Sequence, residues 1–208
     1  MNLTLLPNLL NILLVVVFLS ISLRAFFLYR KLRSPRLFIL GLAMGVIACT
    51  AVADFSSGIV TNIALNTDWF LFLGQTMSFA FIFLSLLRSS GRFLHHLILW
   101  QIIGTSLVFF LLILAPILPD FPNTAIKVLL SGSRAVSCLL IFGYYDAAFM
   151  SKKTRFSLLM SIAFALLSIG YFLVLPKYLF GHQEVLDQLG DAIRMVSIIV
   201  LLVAYARG

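Results

Sequence analysis

Seven apolar stretches, each long enough to cross a membrane as a helix, fill this chain almost from end to end. A membrane-spanning helix needs about 20 consecutive, mostly apolar residues. Only 11% of the residues are charged, whereas soluble domains carry about 25%. Lipid is therefore expected to cover most of the surface. The predicted spans are Leu5–Leu28, Leu37–Ser56, Trp69–Leu87, Phe93–Leu118, Ile126–Met150, Phe156–Leu175 and Leu186–Tyr205.

These spans leave no room for a second domain, because seven helices of this length use about 170 to 190 residues. The sequence predicts an all-α, polytopic membrane protein, a seven-transmembrane-helix bundle that forms a single domain over residues 1–208. The expected location is a cell membrane, either a plasma membrane or a bacterial inner membrane.

Lysine and arginine fall mainly on one side of the predicted spans. The opposite side has Lys177 in a loop and Lys127 near a helix end. Cytoplasmic loops carry the Lys/Arg excess, so the N-terminus is predicted outside and the C-terminus inside. The inner basic residues are Arg24, Arg30, Lys31, Arg33, Arg36, Arg88, Arg92, Lys152, Lys153, Arg155 and Arg207. Among them, the rim around Arg30, Lys31, Arg33, Lys152, Lys153 and Arg155 should contact anionic lipid headgroups.

Three inner turns share a sequence pattern. The strings RSPRLFIL, RSSGRFLHHL and KKTRFSLL each place a basic pair before the start of an apolar helix. Either three helical hairpins are repeated, followed by a seventh helix, or short cytoplasmic turns simply resemble one another under the positive-inside rule. The second interpretation is the simpler one.

Several function classes find no support in the residues. The net charge of +8 follows helix ends and gives no nucleic-acid patch. Cys49 and Cys138 sit in apolar segments, and His95, His96 and His182 cannot reach one zinc ion together. The seventh span also lacks the lysine to which rhodopsins attach retinal. We therefore expect no enzyme, no cofactor, no bound metal and no nucleic-acid partner.

The outer connections look different from the inner turns. Prolines are predicted to keep residues 116–123 out of a helix, and a loop is predicted from Pro176 to Asp187. Trp69, Tyr171 and Tyr178 are predicted to lie near the outer interface, as an aromatic belt does.

Ionisable residues inside the spans are the best functional candidates, because such residues are costly in lipid and usually face the bundle interior with a partner. Glu184, Asp187, Asp191 and Arg194 are spaced by three or four residues and form one stripe on a helix. Gln75 is added as a neutral polar candidate, although interhelical hydrogen bonding is the simpler expectation for it. The predicted ligand-binding set is Asp54, Arg134, Asp191, Arg194 and Gln75.

Two interpretations of these charges remain open. They either lock helices together or line an outward-facing polar cavity for a small ligand or ion. The leading expectation is a sensor or receptor-like membrane domain with a small-molecule ligand and a cytoplasmic or membrane signalling partner. The alternatives are a transporter or channel subunit and a structural subunit of a membrane complex, since buried charges also suit ion and substrate pathways.

Overall fold

The computed structural model describes residues 5–59, 66–87, 90–119, 124–181 and 184–207, with backbone alone for residues 5–7, 57–59, 184 and 207. Seven α-helices lie in these ranges, and all seven are long and apolar enough to cross a membrane. The prediction of seven long, apolar helices is confirmed. The helices are α1 Leu5–Leu32, α2 Pro35–Ile59, α3 Asp68–Leu87, α4 Gly91–Leu114, α5 Thr124–Lys152, α6 Arg155–Phe180 and α7 Glu184–Arg207.

Two boundaries differ from the prediction because of prolines. The helix α4 ends at Leu114, short of the predicted Leu118, since Pro116 has no N–H with which to continue the helical ladder. The helix α6 instead runs through Pro176 to Phe180, so the predicted loop from Pro176 was wrong there. A proline near a helix end removes only a single backbone hydrogen bond, so α6 continues past Pro176. The helix ends at Gly181, whose φ of 79° is a conformation that favours glycine.

The turns after α1 and α5 share one backbone conformation. Arg33 and Lys153 each adopt a left-handed conformation, with φ of 53° and 50°. Their N–H groups donate to the carbonyls of Tyr29 at 2.8 Å and Phe149 at 2.7 Å, which satisfies carbonyl groups left open at the helix ends. Two of the three similar strings therefore form the same short turn. The third includes residues 88 and 89, outside the described residues.

The chain divides into two compact units, which are described separately. We call residues 14–123 the α2–α4 unit, and residues 1–13 with 124–208 the α5–α7 unit. In the α2–α4 unit, the Ser22 hydroxyl donates to the Gly41 carbonyl at 2.7 Å. A Cβ atom on Gly45 would lie 3.1 Å from the Ser22 oxygen. The Gly41–Gly45 pair thus lets the backbones of α1 and α2 come close.

The central helix of the α5–α7 unit is α6, which packs against both α5 and α7. Two serine hydroxyls link the helices across these contacts. Ser168 on α6 donates to the Ala135 carbonyl of α5 at 2.9 Å, and Ser197 on α7 donates to the Ala163 carbonyl of α6 at 2.6 Å. Small residues therefore allow close packing on both sides of α6.

Aromatic rings join the three helices at what we call the basic end, where α5 ends and α6 begins. Tyr145 of α5 stacks on Phe164 of α6 with ring centroids 6.2 Å apart, and Phe156 of α6 meets Tyr205 of α7 edge-on at 6.0 Å. We call the opposite end, where α5 and α7 begin and α6 ends, the polar end.

Candidate functional site

Four residues from three helices meet in the α5–α7 unit. The guanidinium carbon of Arg134 on α5 lies 5.0 Å from the centroid of the Tyr171 ring on α6. The guanidinium carbon of Arg194 on α7 lies 5.3 Å from the same centroid. The Nη2 group of Arg194 also donates to the Asp191 carboxylate, one turn earlier on α7. We call these four residues the arginine–tyrosine cluster.

The cluster lies at one depth because of where its residues sit in their helices. Arg134 and Arg194 are each ten residues beyond the starts of α5 and α7, at Thr124 and Glu184. At about 1.5 Å per residue, both lie roughly 15 Å from the polar end. Tyr171 is nine residues before the end of α6 and reaches a similar depth.

Most of the cluster is buried. Arg134 is 4% exposed, Tyr171 3% and Asp191 7%, while the Arg194 side chain is 17% exposed. Two features stabilise these charges. The Asp191–Arg194 ion pair is one, and the contact of both guanidinium groups with the Tyr171 ring is the other, since desolvated cation–π contacts contribute about 2 kcal/mol or more.

A close helix crossing holds the cluster in place. Gly170 and Gly190, the residues before Tyr171 and Asp191, meet where α6 crosses α7. A Cβ atom on either glycine would lie 3.0 Å from the carbonyl oxygen of the other, tighter than an ordinary van der Waals contact. The crossing therefore requires glycine on both helices, and it places the side chains of Tyr171 and Asp191 beside the point of contact.

Nearer the polar end, Lys177 of α6 forms an ion pair with Asp187 of α7, with the nitrogen and oxygen 2.5 Å apart. Their side chains are 49% and 25% exposed. The predicted stripe on the seventh helix therefore serves two ion pairs, one exposed through Asp187 and one buried through Asp191. The Glu184 side chain lies outside the described residues.

The other two predicted site residues lie in the α2–α4 unit. The Gln75 amide donates to the Thr50 hydroxyl at 3.2 Å, and that hydroxyl donates to the Ile47 carbonyl at 2.7 Å. Gln75 thus links α3 to α2, which was the simpler expectation for it. Asp54 is half-buried on α2, and its membership of the site stays a prediction.

Sequence reasoning missed the ring at the centre of the cluster. Tyr171 was predicted to belong to an interfacial belt, and this was wrong, because its side chain is buried against two arginines. The available signal was helical spacing. Ser168, Tyr171 and Val174 recur every three residues on the buried face of α6, so the tyrosine shares a face with a serine that bonds to α5.

Among the described residues, no group of three or more histidine, cysteine, aspartate or glutamate side chains is placed to hold a metal ion. His95 and His96 are exposed on α4, and His182 lies outside the described residues. Cys138 is buried and Cys49 exposed.

No protein-family model, curated protein or solved structure matches this chain. The class of the protein therefore follows from the fold alone: seven apolar helices consistent with a multi-pass membrane protein.

Proposed function

We propose that the protein is an integral membrane sensor or receptor-like domain, oriented with its N-terminus outside, whose small-molecule site is the arginine–tyrosine cluster. The observation that carries this proposal is the convergence of two arginines on one buried tyrosine. Charged groups at membrane depth are costly, and they commonly mark ligand or ion sites.

The same three helices that form the cluster also meet at the basic end, which supports a sensing role. Phe156 of α6 contacts Tyr145 of α5 and Tyr205 of α7 there. On α6, Phe156 lies 15 residues before Tyr171, or about 22 Å along a continuous helix. A ligand that moves the cluster would therefore also shift α5 and α6 at the basic end, where the turn between them is the proposed contact for a signalling partner.

A transporter or channel subunit is the alternative from another class. Buried charges also line transport pathways. Many transporters, however, have helices that are interrupted within the membrane, whereas α5, α6 and α7 are continuous. Each runs unbroken over its described length. We therefore place binding and signalling before transport or catalysis.

The test perturbs the cluster and measures the basic end. Cys49 and Cys138 are replaced by alanine, a single cysteine is introduced at Lys153, and its maleimide labelling rate is measured in nanodiscs. A sensor predicts that Arg134→Gln changes this rate several-fold. Arg92→Gln, an exposed charge on α4, is the control and should leave it unchanged.

If the folded Arg134→Gln and Arg194→Gln variants both label at the same rate as the protein with an intact cluster, the sensing role is overturned. Saturable solute flux in liposomes that is lost in the same variants would favour the transporter instead.

A further inference from the structure

Three features of the α5–α7 unit, one of charge and two of hydrogen bonding, point to the chemistry of a ligand. We propose that the arginine–tyrosine cluster binds an oxyanion, a phosphate or carboxylate group. The oxyanion would lie between the guanidinium groups of Arg134 and Arg194, with the Ser131 hydroxyl as a further donor. This inference rests on the proposed function, because it names the ligand class of the same site.

The first feature is the sign of the charge. Within the described cluster there are two guanidinium groups and one carboxylate, and that carboxylate already accepts from Arg194. The guanidinium carbons of Arg134 and Arg194 both lie about 5 Å from the centroid of the Tyr171 ring. The distance between the two carbons therefore cannot exceed the sum of these two distances. A group that enters between them meets an excess of positive charge, which favours an anion and repels a cation.

The second feature is a buried hydroxyl on the face of α5 that carries Arg134. Ser131 lies one turn before Arg134, is fully buried, and its Oγ atom has no hydrogen-bond partner among the described residues. Serine in a helix commonly bonds back to a preceding carbonyl. Ser133 does so, donating to Leu129 at 2.7 Å. A buried hydroxyl left without a partner costs free energy, so a bound acceptor would stabilise it.

The third feature is a spare donor on Arg194. Its Nε atom is buried and has no hydrogen-bond partner in the part of the chain that the structure describes, although its Nη2 group holds Asp191. Guanidinium groups bind phosphate and carboxylate oxygens through planar, paired N–H donors. An apolar ligand would leave both the Nε and Ser131 donors unused.

Two sources could supply such an oxyanion: a soluble anion or the phosphate of an anionic lipid. The experiment therefore has two arms, both run on the full chain. In the first, the unfolding temperature is measured in neutral detergent against inorganic phosphate, with ionic strength held constant by chloride. In the second, nanodiscs of phosphatidylglycerol are compared with nanodiscs of phosphatidylcholine.

The variants separate the cluster from other basic surfaces. Arg134→Gln and Ser131→Ala remove donors, and Arg194→Lys keeps the charge but loses the planar pair of donors. We expect each arginine variant to weaken phosphate binding about 10- to 100-fold, the size expected for charged hydrogen bonds, and Ser131→Ala to weaken it several-fold. A control with Lys152, Lys153 and Arg155 changed to glutamine should bind phosphate as the wild type does.

Saturable stabilisation by phosphate that the cluster variants weaken assigns a soluble anion. Stabilisation only by phosphatidylglycerol, weakened by the same variants, assigns a lipid phosphate. If Arg134→Gln does not fold, Ser131→Ala and Arg194→Lys still decide the question. Equal stabilisation of every variant, or none in either arm, would overturn the oxyanion site. A changed labelling rate of the Lys153→Cys thiol in cluster variants would still support the sensing role, so the two failures are distinguishable.

Discussion

Removing the Asp191 carboxylate should destabilise the protein more than removing it together with Arg194. In the structure these side chains form an ion pair on α7 and are only 9% and 17% exposed. Asp191→Ala leaves the Arg194 charge in a largely buried site, near Arg134, which contacts the same tyrosine ring. The double change removes that stranded charge as well.

The magnitude follows from burial and distance. Breaking a buried ion pair by removing one partner costs about 3–5 kcal/mol. Two like charges about 10 Å apart repel by roughly 1.7 kcal/mol at an effective dielectric constant of about 20. That separation is the upper limit for the guanidinium carbons of Arg134 and Arg194, because it is the sum of their distances to the Tyr171 ring centroid. We therefore expect Asp191→Ala to cost about 3 kcal/mol and the double change to be less costly by about 1–2 kcal/mol.

The assay is reversible unfolding in mixed micelles, titrated with sodium dodecyl sulfate, for the wild type, both single variants and the double variant. Lys177 and Asp187 provide a matched control, since they form an ion pair between α6 and α7 but are 49% and 25% exposed. Exposed pairs contribute about 0–1 kcal/mol, so Asp187→Ala should change the free energy of unfolding little.

Additive effects of the two cluster substitutions, with Asp191→Ala no more costly than Asp187→Ala, would refute this reasoning. That result would mean that the Arg194 charge is solvated without its carboxylate.

Three further predictions concern the crossing, the inner basic residues and the orientation. Gly170→Ala should lower the free energy of unfolding by about 1–3 kcal/mol, because overpacking forces backbone shifts. Gly143→Ala is the control and should not destabilise the protein, since a Cβ atom there meets nothing within 4 Å. Equal unfolding curves for the two variants would contradict this. Neutralising three inner basic residues should make the free energy of association with anionic vesicles less favourable by about 1 kcal/mol per charge. Unchanged co-sedimentation with the vesicles would count against this prediction. A cysteine at position 2 should react with an impermeant maleimide from outside intact cells, and labelling from the cytoplasmic side alone would reverse the proposed orientation.

Composition and spacing could predict most of the fold. The seven spans follow from apolar length alone, since a helix is the ordinary way to satisfy backbone groups in lipid. The errors arose at prolines. Pro116 ends α4 early, whereas Pro176 is tolerated inside α6, and a proline near a helix end does not by itself show which outcome occurs.

The arginine–tyrosine cluster was predicted in part. Arg134, Asp191 and Arg194 stood out because charges are rare inside apolar spans, and the structure brings them together. Tyr171 could not be distinguished from an interfacial tyrosine, because its burial depends on how α6 packs between α5 and α7. Ser131 offered no signal at all, since its unsatisfied hydroxyl is a property of the folded helix and not of its sequence.

The most direct test of the ligand site is cryo-electron microscopy of the protein purified from its own membrane into nanodiscs. We predict Arg134 and Arg194 on either side of an oxyanion-sized density beside Tyr171, with the Ser131 hydroxyl within hydrogen-bonding distance of it. A map in which both guanidinium groups point into lipid, far from Tyr171 and from any anion, would contradict the account.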